Sequence, residues 1–328
     1  MDLSSAEVST GLSAVLLASQ LCQKVRRDLT SGATIEKNDR TPVTIADYGS
    51  QAIICKIIRE NFPNDVIVGE EDSTELRRPE RKNLLEKVTH YVEDFYPNTS
   101  SREVCEWIDF GTHTVQKRFW TLDPIDGTKG FLRGDQYAIA LALIEEGIVK
   151  LGLMACPNLY LDRDHRNGKK GSVFLAVRGK GSFQMDMEGE RGKRRMLSVS
   201  KVGDPAKASF TESIEPDHAD HLTHLKIAQR LGMREPPLKM DSQAKYGMVA
   251  RGEATFYLRV PSPSEPGYKE KIWDHAAGAI IAEEAGGKVT DLNGKSLDFS
   301  CGIRLEKNRG ILASNGILHE VVLKALEV

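Results

Sequence analysis

The chain has 328 residues, 40% of them hydrophobic and 28% charged, a balance that suits one or two packed globular units and excludes a disordered or fibrous chain. A net charge of −2 leaves no global positive field for nucleic acid, and the sequence shows no interleaved aromatic platforms for bases. Five scattered cysteines (Cys22, Cys55, Cys105, Cys156 and Cys301), never in a CxxC spacing, read as free thiols of a reducing compartment rather than a disulfide framework.

The N-terminus lacks a basic segment ahead of its apolar run, so no secretory signal is expected. No stretch reaches the roughly 18 apolar residues of a membrane helix. A cytoplasmic protein is expected, with an organellar form left open, and a monomer is the default.

Apolar residues at helical spacing from Leu12 to Val25 predict a helix over 11–29, with Lys24, Arg26 and Arg27 at its far end. The segment Thr41–Asp47 is expected to be extended and to turn into a second helix through Ala52, Ile53, Ile54 and Ile57. A strand at Val66–Val68 ends on Gly69-Glu70-Glu71-Asp72. Residues 73–106 are charged, with a surface helix predicted around Leu84–Val92. A strand at Arg118–Leu122 is expected to stop at Asp123-Pro124. Further strands follow at 137–145, 148–156, 172–178 and 181–187, with glycine turns between them.

The Gly- and Arg-rich stretch Gly189–Arg195 is the candidate boundary. It divides an N-terminal α+β half, 1–190, which carries an antiparallel sheet and most of the acidic candidates, from a C-terminal α/β half, 191–328. The second half is predicted to alternate: strand 208–213, helix 219–231, strand 237–241, helix 243–251, strand 254–260, a helix from 274, strand 310–314 and a last helix from 317. The Pro-rich Pro261–Pro266 reads as a surface loop.

Acidic residues stand just past apolar segments at several places: Asp47, Glu70, the pair Asp123 and Asp126, and Asp274. Carboxylates that converge in one crevice repel by several kcal/mol at low effective dielectric, about 4 kcal/mol for a close pair. A hard divalent cation with oxygen ligands relieves that repulsion, and magnesium tolerates few carboxylates plus phosphate oxygens. Each acid alone also fits a structural role: Asp47 or Asp274 as a helix N-cap, Glu70 as a solvated loop acid. The segment Asp123-Pro124-Ile125-Asp126-Gly127-Thr128 is more specific, because Pro124 and Gly127 turn the chain so that two carboxylates and the Ile125 carbonyl can aim at one point.

Three blocks in this order, Gly69-Glu70-Glu71, Trp120–Phe131 (WTLDPIDGTKGF) and Trp273–Gly278 (WDHAAG), resemble the lithium-sensitive, magnesium-dependent phosphatase superfamily. That superfamily holds inositol monophosphatases, fructose-1,6-bisphosphatases and 3′(2′),5′-bisphosphate nucleotidases. The segments Thr41–Gln51, Phe131–Tyr137, Asp241–Tyr246 (DSQAKY) and Lys269–Gly278 are most similar to the bisphosphate nucleotidases. The resemblance implies a layered α-β-α-β-α sandwich and hydrolysis of the 3′-phosphate of adenosine 3′,5′-bisphosphate (PAP) to AMP, with its sulfated relative PAPS as a further substrate and a place in sulfur assimilation. It implies two to three Mg²⁺ ions on Glu70, Asp123, the Ile125 carbonyl, Asp126 and Asp274, with Li⁺ and Na⁺ inhibitory.

By the same resemblance, Asp47 and Thr128 match the pair that activates water. Thr128, His218, Ser242, Lys245, Arg259 and Asp274 match substrate contacts. Lys245 and Arg259 also fit surface salt bridges, and Ser242 fits a helix N-cap. An inositol polyphosphate 1-phosphatase or inositol monophosphatase is the alternative within the superfamily; a non-catalytic sensor of bisphosphate nucleotides is the alternative of another class. The short stretch between Glu71 and Trp120 and the prolines of 261–267 depart from the family pattern without touching an expected ligand.

Overall fold

The computed structural model describes residues 1–32, 41–111, 114–162, 168–189, 193–214, 221–262, 265 and 267–326. Two long helices open the chain, α1 (Ala6–Gly32) and α2 (Thr41–Asn61), followed by strand β1 (Val66–Gly69). Two shorter helices, α3 (Lys82–Glu93) and α4 (Ser101–Asp109), lead into β2 (Arg118–Asp126) and α5 (Thr128–Arg133). Then come β3 (Ala138–Glu145), β4 (Ile148–Tyr160), β5 (Lys170–Val177), β6 (Gly181–Asp186) and β7 (Arg195–Met196).

The remainder holds β8 (Phe210–Glu212), α6 (His221–Arg230), β9 (Leu238–Lys239), α7 (Ala244–Ala250) and β10 (Phe256–Arg259). It ends with α8 (Ala276–Glu284), β11 (Lys288–Thr290), β12 (Ile311–Ser314) and α9 (His319–Leu326).

Strands β1–β7 form one sheet in chain order, with β1 parallel to β2 and every later pair antiparallel. A second sheet runs in the order β11-β12-β10-β8-β9. Strand alternation sorts side chains to opposite faces of the first sheet. Trp120, Leu141 and Leu143 face α1 and α2, while Phe119, Ala140 and Ala142 face α7 and α8. In the second sheet Tyr257 joins the inner core, whereas Phe256 and Leu258 face the outer cluster beneath α6 and α9. Three apolar cores, the middle one packing both faces of the α7–α8 layer, therefore join five layers, α-β-α-β-α, the architecture expected from the sequence.

Helix α8 lies close to the first sheet because its buried face is built from Ala276, Ala277, Ala279 and Ala282. Gly278 is required there: a Cβ would sit 2.2 Å from the Tyr246 ring. The first sheet extends through Met196, and α8 packs against β4 and β5, so the two ends of the chain share one inner core.

Four sequence expectations are corrected. Thr41–Asp47 is not extended; α2 begins at Thr41, with Pro42 in the first turn, where its missing N–H costs no intrahelical bond. Strand β2 does not stop at Asp123-Pro124 but continues to Asp126. Its register shifts between Asp123, opposite Ala140, and Asp126, opposite Ala138. The irregularity absorbs the residue that cannot donate to the ladder. Helix α4, hidden in the charged 73–106 stretch, is fixed by a capping box in which Ser100 and Glu103 bond each other's backbone. Strand β11 was absent from the prediction because three residues carry too little alternation.

Candidate active site

Four elements deliver five acids to one region. Asp47 projects from the first half of α2, Glu70 follows β1, Asp123 and Asp126 flank the irregularity of β2, and Asp274 lies just ahead of α8. The parallel pairing of β1 with β2 places Gly69 opposite Leu122, which brings Glu70 beside Asp123. The cleft they border has a volume of about 300 Å³, within the range of small-ligand sites. Glu70, Asp123, Ile125, Asp126, Thr128 and Asp274 line it. The Ile125 side chain is buried in the core, so its backbone is what meets the cleft.

The β2 turn is tightly fixed. Asp123 Oδ1 accepts the Ile125 N–H at 3.1 Å, and Gly127 takes a left-handed φ of 87° to start α5. Behind Glu70, the buried Gln51 amide acts as a brace. Its Oε1 accepts the Glu71 N–H at 3.1 Å, and its Nε2 donates to the Glu71 carbonyl and, at 3.0 Å, to the Ile108 carbonyl.

The cleft also has cationic and polar lining: Ser242, Lys245 and Arg259, with Lys129 and Lys271. Segment 241–245 is tied to the acidic wall, because the Gln243 N–H donates to Asp126 Oδ2 at 2.6 Å. Ser242 makes that approach possible with a left-handed φ of 69°, uncommon for a residue with a side chain. Ser242 is not the N-cap of α7. That position belongs to Gln243, while Ser242 Oγ accepts the Ala244 N–H at 3.2 Å. Asp47 and Asp274 are not N-caps either: Asp47 lies within α2, and His275 precedes α8.

Lys245 and Arg259 are not surface ion pairs. Lys245 is buried, donates to the Met240 carbonyl at 3.2 Å and lies over the Tyr257 ring. Burial pushes its ammonium down to about 8; Arg259 adds to the fall and Asp126 opposes it. Arg259 Nε pairs with the buried Glu270 at 2.8 Å. Burial alone would raise the Glu270 carboxyl, but Arg259 and the His275 bond bring it down to about 2.

Burial raises the carboxyls of Asp123, Asp274 and Asp47 well above the usual carboxylate range, and mutual repulsion adds to it. Asp123 feels Glu70, Asp126, Asp274 and Asp47. Asp274 feels Asp126, partly offset by Arg259, and Asp47 feels Glu71 and Glu70. Glu70, open to the cleft, is raised by the protein atoms around it and by Asp126. Glu71 is pushed up to about 7 by burial, then by Glu70 and Asp72. Among the described residues, Asp47 Oδ1 is buried without a hydrogen-bond partner.

These acids fit a hard divalent cation. Their donors are all oxygens, no histidine or cysteine lines the cleft among the described residues, and the raised carboxyls mark a charge that lacks its counter-ion. Of the residues predicted from the sequence, the cleft gathers Glu70, Asp123, Ile125, Asp126, Thr128, Ser242, Lys245, Arg259 and Asp274. Asp47 does not line the cleft but lies within electrostatic reach of Glu70 and Asp123. His218 lies outside the described residues. Sequence reasoning missed Gln51, Gln243, Glu270 and Lys271. All four lie in the family-like segments Thr41–Gln51, Asp241–Tyr246 and Lys269–Gly278, but the roles of Gln51, Gln243 and Glu270 appear only through contacts with other segments.

A family model described as the inositol monophosphatase family matches residues 6–328. The chain is 44% identical to a 3′(2′),5′-bisphosphate nucleotidase of Oryza sativa, over 98% of this chain and 94% of that protein. It is 40% identical to one of Schizosaccharomyces pombe, again over 98% and 94%. Among solved structures, the Thermotoga maritima IMPase superposes with a TM-score of 0.63 over 98% of this chain and 97% of its own, at 22% identity. CysQ from Bacteroides thetaiotaomicron superposes with a TM-score of 0.61 over 94% and 96%, at 20% identity.

Proposed function

Because the chain belongs to the inositol monophosphatase family, we propose that it is a magnesium-dependent 3′(2′),5′-bisphosphate nucleotidase that hydrolyses the 3′-phosphate of adenosine 3′,5′-bisphosphate to AMP and phosphate. The observation that carries this reading is a single cleft lined both by carboxylates and by Ser242, Lys245 and Arg259. A monophosphatase has no need of the second set. The reading extends to PAPS, which presents the same 3′-phosphate.

Glu70, Asp123, the Ile125 carbonyl, Asp126 and Asp274 would hold magnesium, as two to three ions, which would supply Lewis-acid polarisation of the phosphate and a more acidic water. The chain's own groups then set the geometry. Thr128, exposed to the cleft at the start of α5, accepts a hydrogen bond from the attacking water and passes its own to Asp47. Asp47 suits the role of base because its buried Oδ1 has no competing partner among the described residues. The water oxygen bonds to phosphorus, the P–O3′ bond breaks in line, and the 3′-oxygen leaves as the ribose hydroxyl after taking a proton from solvent. No phosphoenzyme forms. Lys245 and Arg259 hold the 5′-phosphate, Arg259 with a planar fork and Lys245 as a point charge. Ser242 donates to the same phosphate.

Inhibition by lithium and sodium belongs to this reading, as does a monomer acting on a free nucleotide. A cytoplasmic setting agrees with five free cysteines. Among the described residues, no helix is long and apolar enough to cross a membrane. A substrate panel with magnesium, scored by kcat/KM, tests the proposal. Adenosine 3′,5′-bisphosphate should lead inositol 1-phosphate and inositol 1,4-bisphosphate. A lead for either inositol phosphate would replace the nucleotide reading, and binding without phosphate release would make the protein a sensor.

A further inference from the structure

We propose that Glu270 is a positioning residue for phosphate specificity: it holds the Arg259 guanidinium in the orientation that receives the substrate's second, unreacting phosphate. The inference rests on the reading of the cleft as a bisphosphate site.

Arg259 ends β10, whose pairing with β12 at Ile311 fixes its backbone but not its long side chain. Two contacts hold that side chain. Its Nε lies 2.8 Å from Glu270 Oε2 in an ion pair, and the guanidinium neighbours the Tyr257 hydroxyl. While paired in this way, Arg259 also lines the cleft. A fork fixed in this way loses less freedom when an anion binds than one that must be ordered by its ligand.

Glu270 is itself immobilised. It is 3% exposed, and its carbonyl accepts the Leu305 N–H at 2.9 Å. Its carboxylate also meets His275 Nε2 at 3.2 Å, and His275 Nδ1 meets the Tyr246 hydroxyl at 2.9 Å. A neutral histidine satisfies both bonds, donating from Nε2 to the carboxylate and accepting at Nδ1. Glu270, Asp274 and His275 lie close enough together to suggest a cation site of their own. The same Glu270 oxygen, however, already serves Arg259 and His275, so this corner is a filled ion-pair network rather than an open coordination shell.

His275 adjoins Asp274, so damage at Glu270 could also reach the acidic wall. The test must separate the two routes. The probes are adenosine 3′,5′-bisphosphate and adenosine 3′-monophosphate, which share the scissile phosphate and differ only in the second one. The readout is the ratio of their kcat/KM values. Glu270→Gln, which keeps shape and removes charge, should lower that ratio by about tenfold, chiefly through KM for the bisphosphate. In an Arg259→Ala background the same change should move the ratio by less than about twofold, because the two residues act as one unit.

An unchanged ratio in Glu270→Gln would overturn the inference. So would equal losses on both probes, which would place the effect at Asp274 or in the fold, or a further tenfold fall in the Arg259→Ala background. Wild-type protein without preference for the bisphosphate would instead overturn the bisphosphate reading, and the positioning role with it.

Discussion

Replacing Asp123 by Asn separates what the acidic wall costs the fold from what it does for the reaction. Asp123 is 3% exposed and faces Glu70, Asp126, Asp274 and Asp47. At an effective dielectric near 20, one ionised neighbour roughly 6 Å away costs about 3 kcal/mol, an upper bound because the group escapes by taking up a proton. The raised carboxyls set the sign of the pH dependence. A carboxyl whose folded value exceeds its unfolded value binds protons preferentially in the fold, so it favours the fold at low pH and loses that contribution as pH rises through the folded value. For Glu71 the window runs from the ordinary carboxylate range up to about 7; Asp47, Asp123 and Asp274 shift in the same direction.

Metal-free wild type should therefore lose stability between pH 5 and 8. Asp123→Asn should flatten that fall and, at pH 8, melt about 2–4 °C higher, taking roughly 0.7 kcal/mol per degree for a chain of this size. Magnesium at about a hundred times its Kd should raise the wild-type Tm by about 4 °C. The variant should lose most of this rise together with its turnover. Calorimetry with chelator and with magnesium at pH 6 and 8, alongside phosphate release, reads all of these quantities. A metal-free variant no more stable than wild type at pH 8, or one that turns over normally with magnesium, would refute the reasoning.

Asp47→Asn should lower kcat by about a hundredfold or more through loss of the base, while leaving the metal-free Tm no lower, since a buried negative charge repelled by Glu71 and Glu70 is removed. Pre-steady-state phosphate release and a melting curve check both parts. Lys245→Met should raise KM for the bisphosphate by about tenfold and for a monophosphate much less. Because the ammonium is pushed down to about 8, wild-type KM for the bisphosphate should rise as pH passes that value, and the variant should lack that rise. Gly127→Ala forces a Cβ onto a φ of 87° and to within 3.1 Å of the Ser242 Cβ. It should cost about 1–2 kcal/mol, a Tm fall of about 1–3 °C, with a larger loss in kcat/KM because Thr128 starts the helix that Gly127 caps.

Periodicity and turn chemistry in the chain were enough to place most strands, the long helices and the layered fold class, because each depends on residues a few positions apart. The Asp123–Thr128 turn was legible for the same reason: proline and glycine fix backbone geometry locally. Where several local readings competed, only packing decided. Pro42 allows either an extended segment or a helix start, and contact between α1 and α2 accompanies the helix. Pro124 suggested a stop, yet pairing with β3 carries β2 past it through a shifted register. The tertiary structure alone brings Gln243 to Asp126, Gln51 behind Glu71, and Glu270 to Arg259. These are contacts between segments 11 to 117 residues apart, and they join buried charges and amides whose neighbours are chosen by how sheets and helices stack, which no short window of sequence contains.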